Sequence, residues 1–232
     1  MVRREPVRAV STARTFLREN GLSITVLVLF LVFLAGQIFT GWLVFNEEQR
    51  QHSETPVTVG EYLRSGHFAE VTAENWESEF LQMAFYVMLT VFLFQKGSSE
   101  SKKLGQKEAV DRDPRRSKNK KDAPWPVRKG GRLLTLYEYS LSLAFLSLFV
   151  TSFAWHAIGG SREYSQEQVA HGGEPVAVVE YLETPQFWFE SFQNWQSEFL
   201  AVFAIVFLSI WLREKGSPES KPVATPHRSA KG

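Results

Sequence analysis

Four stretches of the chain are apolar enough to read as membrane spans. Leu22 to Phe45 runs for 24 residues without a charge, longer than the roughly 20 that cross a bilayer as a helix. Ser140 to Ile158 is a second such run, uncharged while His156 is neutral. Phe80 to Phe94 and Phe199 to Leu212 are strongly apolar but shorter. They reach membrane length only if their helices begin near Trp76 and Trp195, which draws Glu79 and Glu198 to the membrane's edge. The pattern predicts an all-α integral membrane protein with transmembrane helices over about 22–45, 76–95, 136–158 and 195–213.

The pattern is written twice. Asn75-Trp76-Glu77-Ser78-Glu79-Phe80 returns 119 residues later as Asn194-Trp195-Gln196-Ser197-Glu198-Phe199. The same offset pairs Glu61-Tyr62-Leu63 with Glu180-Tyr181-Leu182, and Lys96-Gly97-Ser98 with Lys215-Gly216-Ser217. No gap is needed from Leu22 to Lys102, so repeat 1 occupies 22–102 and repeat 2 occupies 133–221. Two spans per copy make the copies enter the membrane in the same sense, as tandem parallel repeats about an axis along the membrane normal. A four-helix bundle is the simplest such architecture. In the loops, 46–75 and 159–194, apolar positions alternate with polar ones and predict short amphipathic helices broken at Ser65-Gly66 and Thr184-Pro185. Asn75 and Asn194 read as helix N-caps, and Lys-Gly at 96–97 and 215–216 as helix ends.

Charge orients the chain. Mean hydropathy is −0.17 and the formal charge +1 over 232 residues, averages that hide a segregation. Of the 26 Lys and Arg, all but Arg50, Arg64 and Arg162 lie before the first span, between spans two and three, or after the last. The positive-inside rule then places both termini and the centre in the cytoplasm and the acidic loops outside. Residues 1–21 are a basic lead-in, 103–132 a disordered basic linker and 222–232 a tail; lead-in and linker are drawn to anionic lipid at the cytoplasmic face. Lipid explains this charge more simply than nucleic acid does. The chain has no cysteine, which excludes disulfides, thiolate metal sites and cysteine nucleophiles.

Candidate chemistry is sparse. Glu79 and Glu198 each precede a hydroxyl, Thr90 and Ser209, by 11 residues, close to three helical turns and so on one face. Gln37 and His156 correspond across the two copies and complete a candidate intramembrane polar site. The structural alternative leaves both glutamates at the headgroups, where a helix N-terminus favours them. Glu48 with His52, and Glu167 with His171, have an i, i+4 spacing that could hold a metal, or could be surface pairs. No zinc-protease, phosphate-loop or nucleophile-elbow pattern occurs. No catalytic residue, enzyme activity or cofactor is therefore expected.

Three stretches carry a resemblance: Gly60-Glu61-Tyr62-Leu63-Arg64-Ser65-Gly66-His67-Phe68, Glu74 to Met83, and Gln95 to Lys102. On these the sequence resembles a bacterial multi-span membrane family, the domain of unknown function 6766. The second copy departs at Thr184-Pro185-Gln186. The resemblance implies a bacterial inner-membrane protein and no activity. The expectation is a non-enzymatic structural or partner-binding membrane component, with a homo-oligomer as one possible state and no protein partner specified. The alternative is a small proton or cation transporter using paired Glu79 and Glu198.

Overall fold

A computed structural model describes residues 14–227, so the lead-in before Arg14 and the tail beyond His227 lie outside the described residues. All regular structure among them is helical. The chain divides into two units, residues 1–68 and 69–232. Two helices are long and apolar enough to cross a membrane: α1 (Gly21–Gln51) and the later Ser140–Ala170.

In the first unit, α1 runs six residues beyond its apolar stretch and stops before Pro56, which disfavours helix in the residue ahead of it. The returning strand of chain is then pinned. Asn46 accepts from the Val57 amide at 2.6 Å and donates to the Val57 carbonyl at 3.0 Å, while Trp42 donates to the same carbonyl at 2.8 Å. Thr58 caps α2 (Val59–Tyr62), and Glu61 reaches back to the Thr58 amide at 2.7 Å, a reciprocal capping box. This short helix drives Tyr62 into a buried cluster with Phe45 and Phe68, backed by Ile38, Trp42 and Val57. Only glycine fits opposite: a Cβ on Gly41 would overlap the Tyr62 hydroxyl.

Helix α3 (Gly66–Phe92) begins ten residues earlier than the pattern suggested. Ser65 supplies the cap, its hydroxyl accepting from the Phe68 amide at 3.1 Å. Asn75 is therefore not an N-cap. It lies inside the helix and donates to the Val71 carbonyl, four residues back, at 2.7 Å. The reason is legible afterwards: Phe68, Val71 and Ala73 give 66–75 enough apolar positions to continue the helix.

The segment 103–132, expected to be disordered, contains 3₁₀ turns at Ala109–Asp111 and Pro114–Ser117, then α4 (Trp125–Lys129). Ala123 and Val127 bury against Leu134 of α5 (Gly131–Glu138). Helix α6 (Ser140–Ala170) outruns its apolar stretch by twelve residues. Ser165 then accepts from the Val176 amide at 2.8 Å and donates to its carbonyl at 2.9 Å. α7 (Val178–Leu182) follows, its start held by Glu180 accepting from the Ala177 amide at 2.7 Å. α8 (Pro185–Leu208) is capped by Thr184, not Asn194, which lies within the helix and donates to the Glu190 carbonyl at 3.2 Å. Lys96-Gly97 and Lys215-Gly216 fall in turns beyond the helix ends, with Gly97 and Gly216 at φ 91° and 90°.

His67 packs at a tilt against Phe45 and Tyr62, and its Nδ1 has no hydrogen-bond partner among the described residues. Burial holds its pKa below the ordinary 6.5, against a smaller opposing pull from Glu48. The unfolded chain therefore takes up this proton first as pH falls. The contribution of His67 is fully present above the unfolded value of about 6.5 and is lost below it. Thermal melts of the detergent-solubilised chain between about pH 5 and 8 should show His67→Gln losing less stability on acidification than the wild type.

Candidate functional site

Glu70, Glu74 and Glu77 recur at i, i+4 and i+7 on α3, the spacing of a single helix face. That face packs against α6, α7 and α8 and carries carboxylates where a soluble helix would carry leucines. Approach between α3 and α6 is close because of Gly159: a Cβ there would lie 2.6 Å from the Glu70 backbone nitrogen and 2.8 Å from Ala69 Cβ. Beside it, Gly160 leaves room for the Tyr181 ring, as Gly41 does for Tyr62.

At the centre sits His156, with no exposed surface. Its Nδ1 is 2.9 Å from Glu77 Oε2 and its Nε2 is 3.3 Å from Glu190 Oε2. Phe187 stacks on the imidazole at 4.8 Å between ring centroids. Glu77 is equally enclosed, and its second oxygen accepts from Trp195 Nε1 at 2.9 Å and from Ser191 at 3.4 Å. A fully buried carboxylate left without partners would cost about 3–5 kcal/mol; here both oxygens are satisfied. Glu190 Oε2 also accepts from the Tyr181 hydroxyl at 2.6 Å, and that hydroxyl stands 3.0 Å from Glu70 Oε1. Tyr181 has one hydrogen for two carboxylates. The shorter contact is to Glu190, with Glu70 as the second acceptor at the same hydroxyl.

The electrostatics follow the enclosure. Burial, then the neighbouring Glu190, push the Glu70 carboxyl up to about 8. Burial likewise raises Glu74 to about 7. It works in the same direction on Glu190, but hydrogen bonds from His156, Tyr181 and Gln186 outweigh it and hold that carboxyl below its usual value. The Tyr181 phenol is pushed up by burial and by its bond to Glu190. Ligand atoms of Glu70, His156 and Glu190 all lie within 4.8 Å of one another, a spacing compatible with a shared metal ion.

The family described as Domain of unknown function (DUF6766) matches residues 13–232. The chain belongs to that family. No curated protein and no solved structure matches it. The family description names no activity.

Among the residues picked from sequence, His156 lies in this cluster and Trp195 donates into it. Their companions lie elsewhere. Glu79 is exposed and Glu198 half-buried, its carbonyl accepting from the Gln82 side chain at 3.4 Å. Thr90 donates to the Val87 carbonyl of its own helix at 2.9 Å, and Ser209 is buried against Ser98 at 2.9 Å. Gln37 is half-buried on α1 in the first unit. Trp76 packs edge-on against Trp155, centroids 5.7 Å apart. The exposed His52 and His171 donate from Nδ1 to the carbonyls of Glu48 and Glu167, at 3.0 and 2.8 Å. Each pair closes a helix end, where an imidazole N–H satisfies one of the terminal carbonyls.

Gly159 provides the check on this packing. Gly159→Ala forces α3 and α6 apart and should lower stability by about 1–3 kcal/mol. In Gly36→Ala the new methyl meets nothing within 4 Å, so helix propensity alone should stabilise by up to about 1 kcal/mol. Paired thermal melts read both.

Proposed function

We propose that this chain is a non-enzymatic, multi-pass membrane protein that binds cations in the cluster of Glu70, His156 and Glu190 and passes them across the bilayer. The single observation carrying this reading is the enclosure of carboxylates around one imidazole, between helices whose other faces are apolar and exposed. Carboxylates held out of water beside the outer end of a membrane-crossing helix are costly to keep and suit an ion pathway. Passive scaffolding does not call for them.

Four spans and a duplicated two-helix unit form part of the proposal. Matched local devices support it. α1 and α6 both run for 31 residues, from Gly21 and from Ser140, at the offset of the sequence repeat. Asn46 clamps Val57 as Ser165 clamps Val176, and Gly41 faces Tyr62 as Gly160 faces Tyr181. The outward apolar side chains of α3 and α8, such as Met88, Phe92, Leu200 and Phe203, suit a lipid surroundings. With the basic segments cytoplasmic, His156 belongs to the outer end of α6, next to the acidic segment 159–194 of its own unit, whose charge concentrates cations.

Reconstitution into liposomes tests this. Cation flux, followed with entrapped indicators for protons and divalent ions, should exceed that of empty liposomes and fall at least about tenfold, roughly 1.4 kcal/mol, in Glu70→Gln/Glu190→Gln. Glu79→Gln/Glu198→Gln should leave it unchanged. Correctly inserted wild-type protein without flux would sink the transport reading and return the partner-binding component to first place.

A further inference from the structure

We infer that Glu70, His156 and Glu190 form a binding site for one divalent first-row transition metal ion, with the Tyr181 hydroxyl as a third oxygen at its edge. This deepens the cation-handling reading and rests on it for biological purpose, though not for the binding itself.

Ligand chemistry comes first. Two carboxylates and an imidazole are an oxygen–nitrogen set of the kind that holds ions such as Zn²⁺ or Mn²⁺. Mg²⁺ and Ca²⁺ prefer oxygen alone. With metal–ligand bonds of about 2.0–2.2 Å, ligand atoms in such a site stand about 3–3.5 Å apart. The atoms here already lie within 4.8 Å of one another, and His156 Nε2 is 3.3 Å from Glu190 Oε2. Small side-chain rotations close the rest.

A second observation points the same way. Metal-binding histidines characteristically give their other ring N–H to a carboxylate, which fixes the tautomer and aims the free nitrogen at the metal. His156 has this arrangement. Its Nδ1 faces Glu77 at 2.9 Å, and Glu77 is itself held by Trp195 Nε1 at 2.9 Å and by Ser191. That leaves Nε2 as the ligating atom, on the side where Glu70 and Glu190 converge. His156 and Glu77 are sealed, whereas the Glu190 side chain keeps 16% of its surface exposed, so the site opens on the carboxylate side. A divalent ion also answers the charge problem of four acids grouped around one imidazole.

The test uses the full-length chain in detergent micelles, without a polyhistidine tag. Titration calorimetry with Zn²⁺ and with Mn²⁺ should give one ion per chain. The Co²⁺ form should show visible absorption from mixed nitrogen and oxygen ligands. Glu70→Gln, His156→Gln and Glu190→Gln should each abolish stoichiometric binding. Glu77→Gln, which touches no metal, should weaken it about 10–100-fold and shift the Co²⁺ spectrum. His52→Gln/His171→Gln should bind as the wild type does. Helical circular dichroism separates loss of binding from loss of fold.

The proposal is overturned if the folded wild type takes up no stoichiometric ion. It is equally overturned if His156→Gln/Glu190→Gln binds as tightly as wild type, or if binding disappears with His52 and His171. Metal binding without flux would remove the transport reading and keep the site; proton flux without metal binding would do the reverse.

Discussion

The contact between His156 and Glu77 is the constraint from which the second unit's architecture follows. Both side chains are fully enclosed, and neither could be so without the other. Keeping water out requires close helices, hence Gly159 against the α3 backbone and Gly160 against Tyr181. Keeping Glu77 satisfied requires Trp195 and Ser191 on one face of α8. Phe187 and Tyr181 complete the wall, three residues to either side of the Thr184 cap that sets where α8 begins. Caps, glycines and aromatic packing all serve to hold one polar pair dry.

Much of the fold was legible in the sequence. Charge-free runs located α1 and α6, because twenty apolar residues in succession have few uses besides crossing or lining a membrane. Turn chemistry at Ser65-Gly66 and Thr184-Pro185 located the breaks. Helix starts were less legible. Asn75 and Asn194 have the side chain of an N-cap, yet Ser65 and Thr184 do that work; capping depends on where the preceding chain stops being helical, which a single residue does not tell.

The site was harder to see, and the recurrence at 119 residues was the reason. It directed attention to polar residues at corresponding positions, Glu79 with Glu198 and Gln37 with His156, and of these only His156 belongs to the cluster. The cluster is built from positions where the copies differ: Glu70 stands opposite Phe189, Glu77 opposite Gln196, and Glu190 opposite Val71. One signal was available. Glu70, Glu74 and Glu77 share a helical face, but Glu70 and Glu74 lie in the expected loop 46–75 and only Glu77 in the expected helix from Trp76, which hides the common face. How far Glu79 and Glu198 take part in function is decided by the flux comparison rather than by their placement.

Glu190 Oε2 is the shared acceptor of Tyr181 and His156, and this has an evolutionary consequence. Replacing the imidazole takes a hydrogen-bond partner from two carboxylates at once, Glu77 and Glu190, and replacing either carboxylate takes an acceptor from His156 and from a second donor, Trp195 or Tyr181. Single substitutions therefore lead downhill in stability, and only concerted ones reach another workable interior. A lineage should carry this network whole or have exchanged it whole, as an apolar core would be.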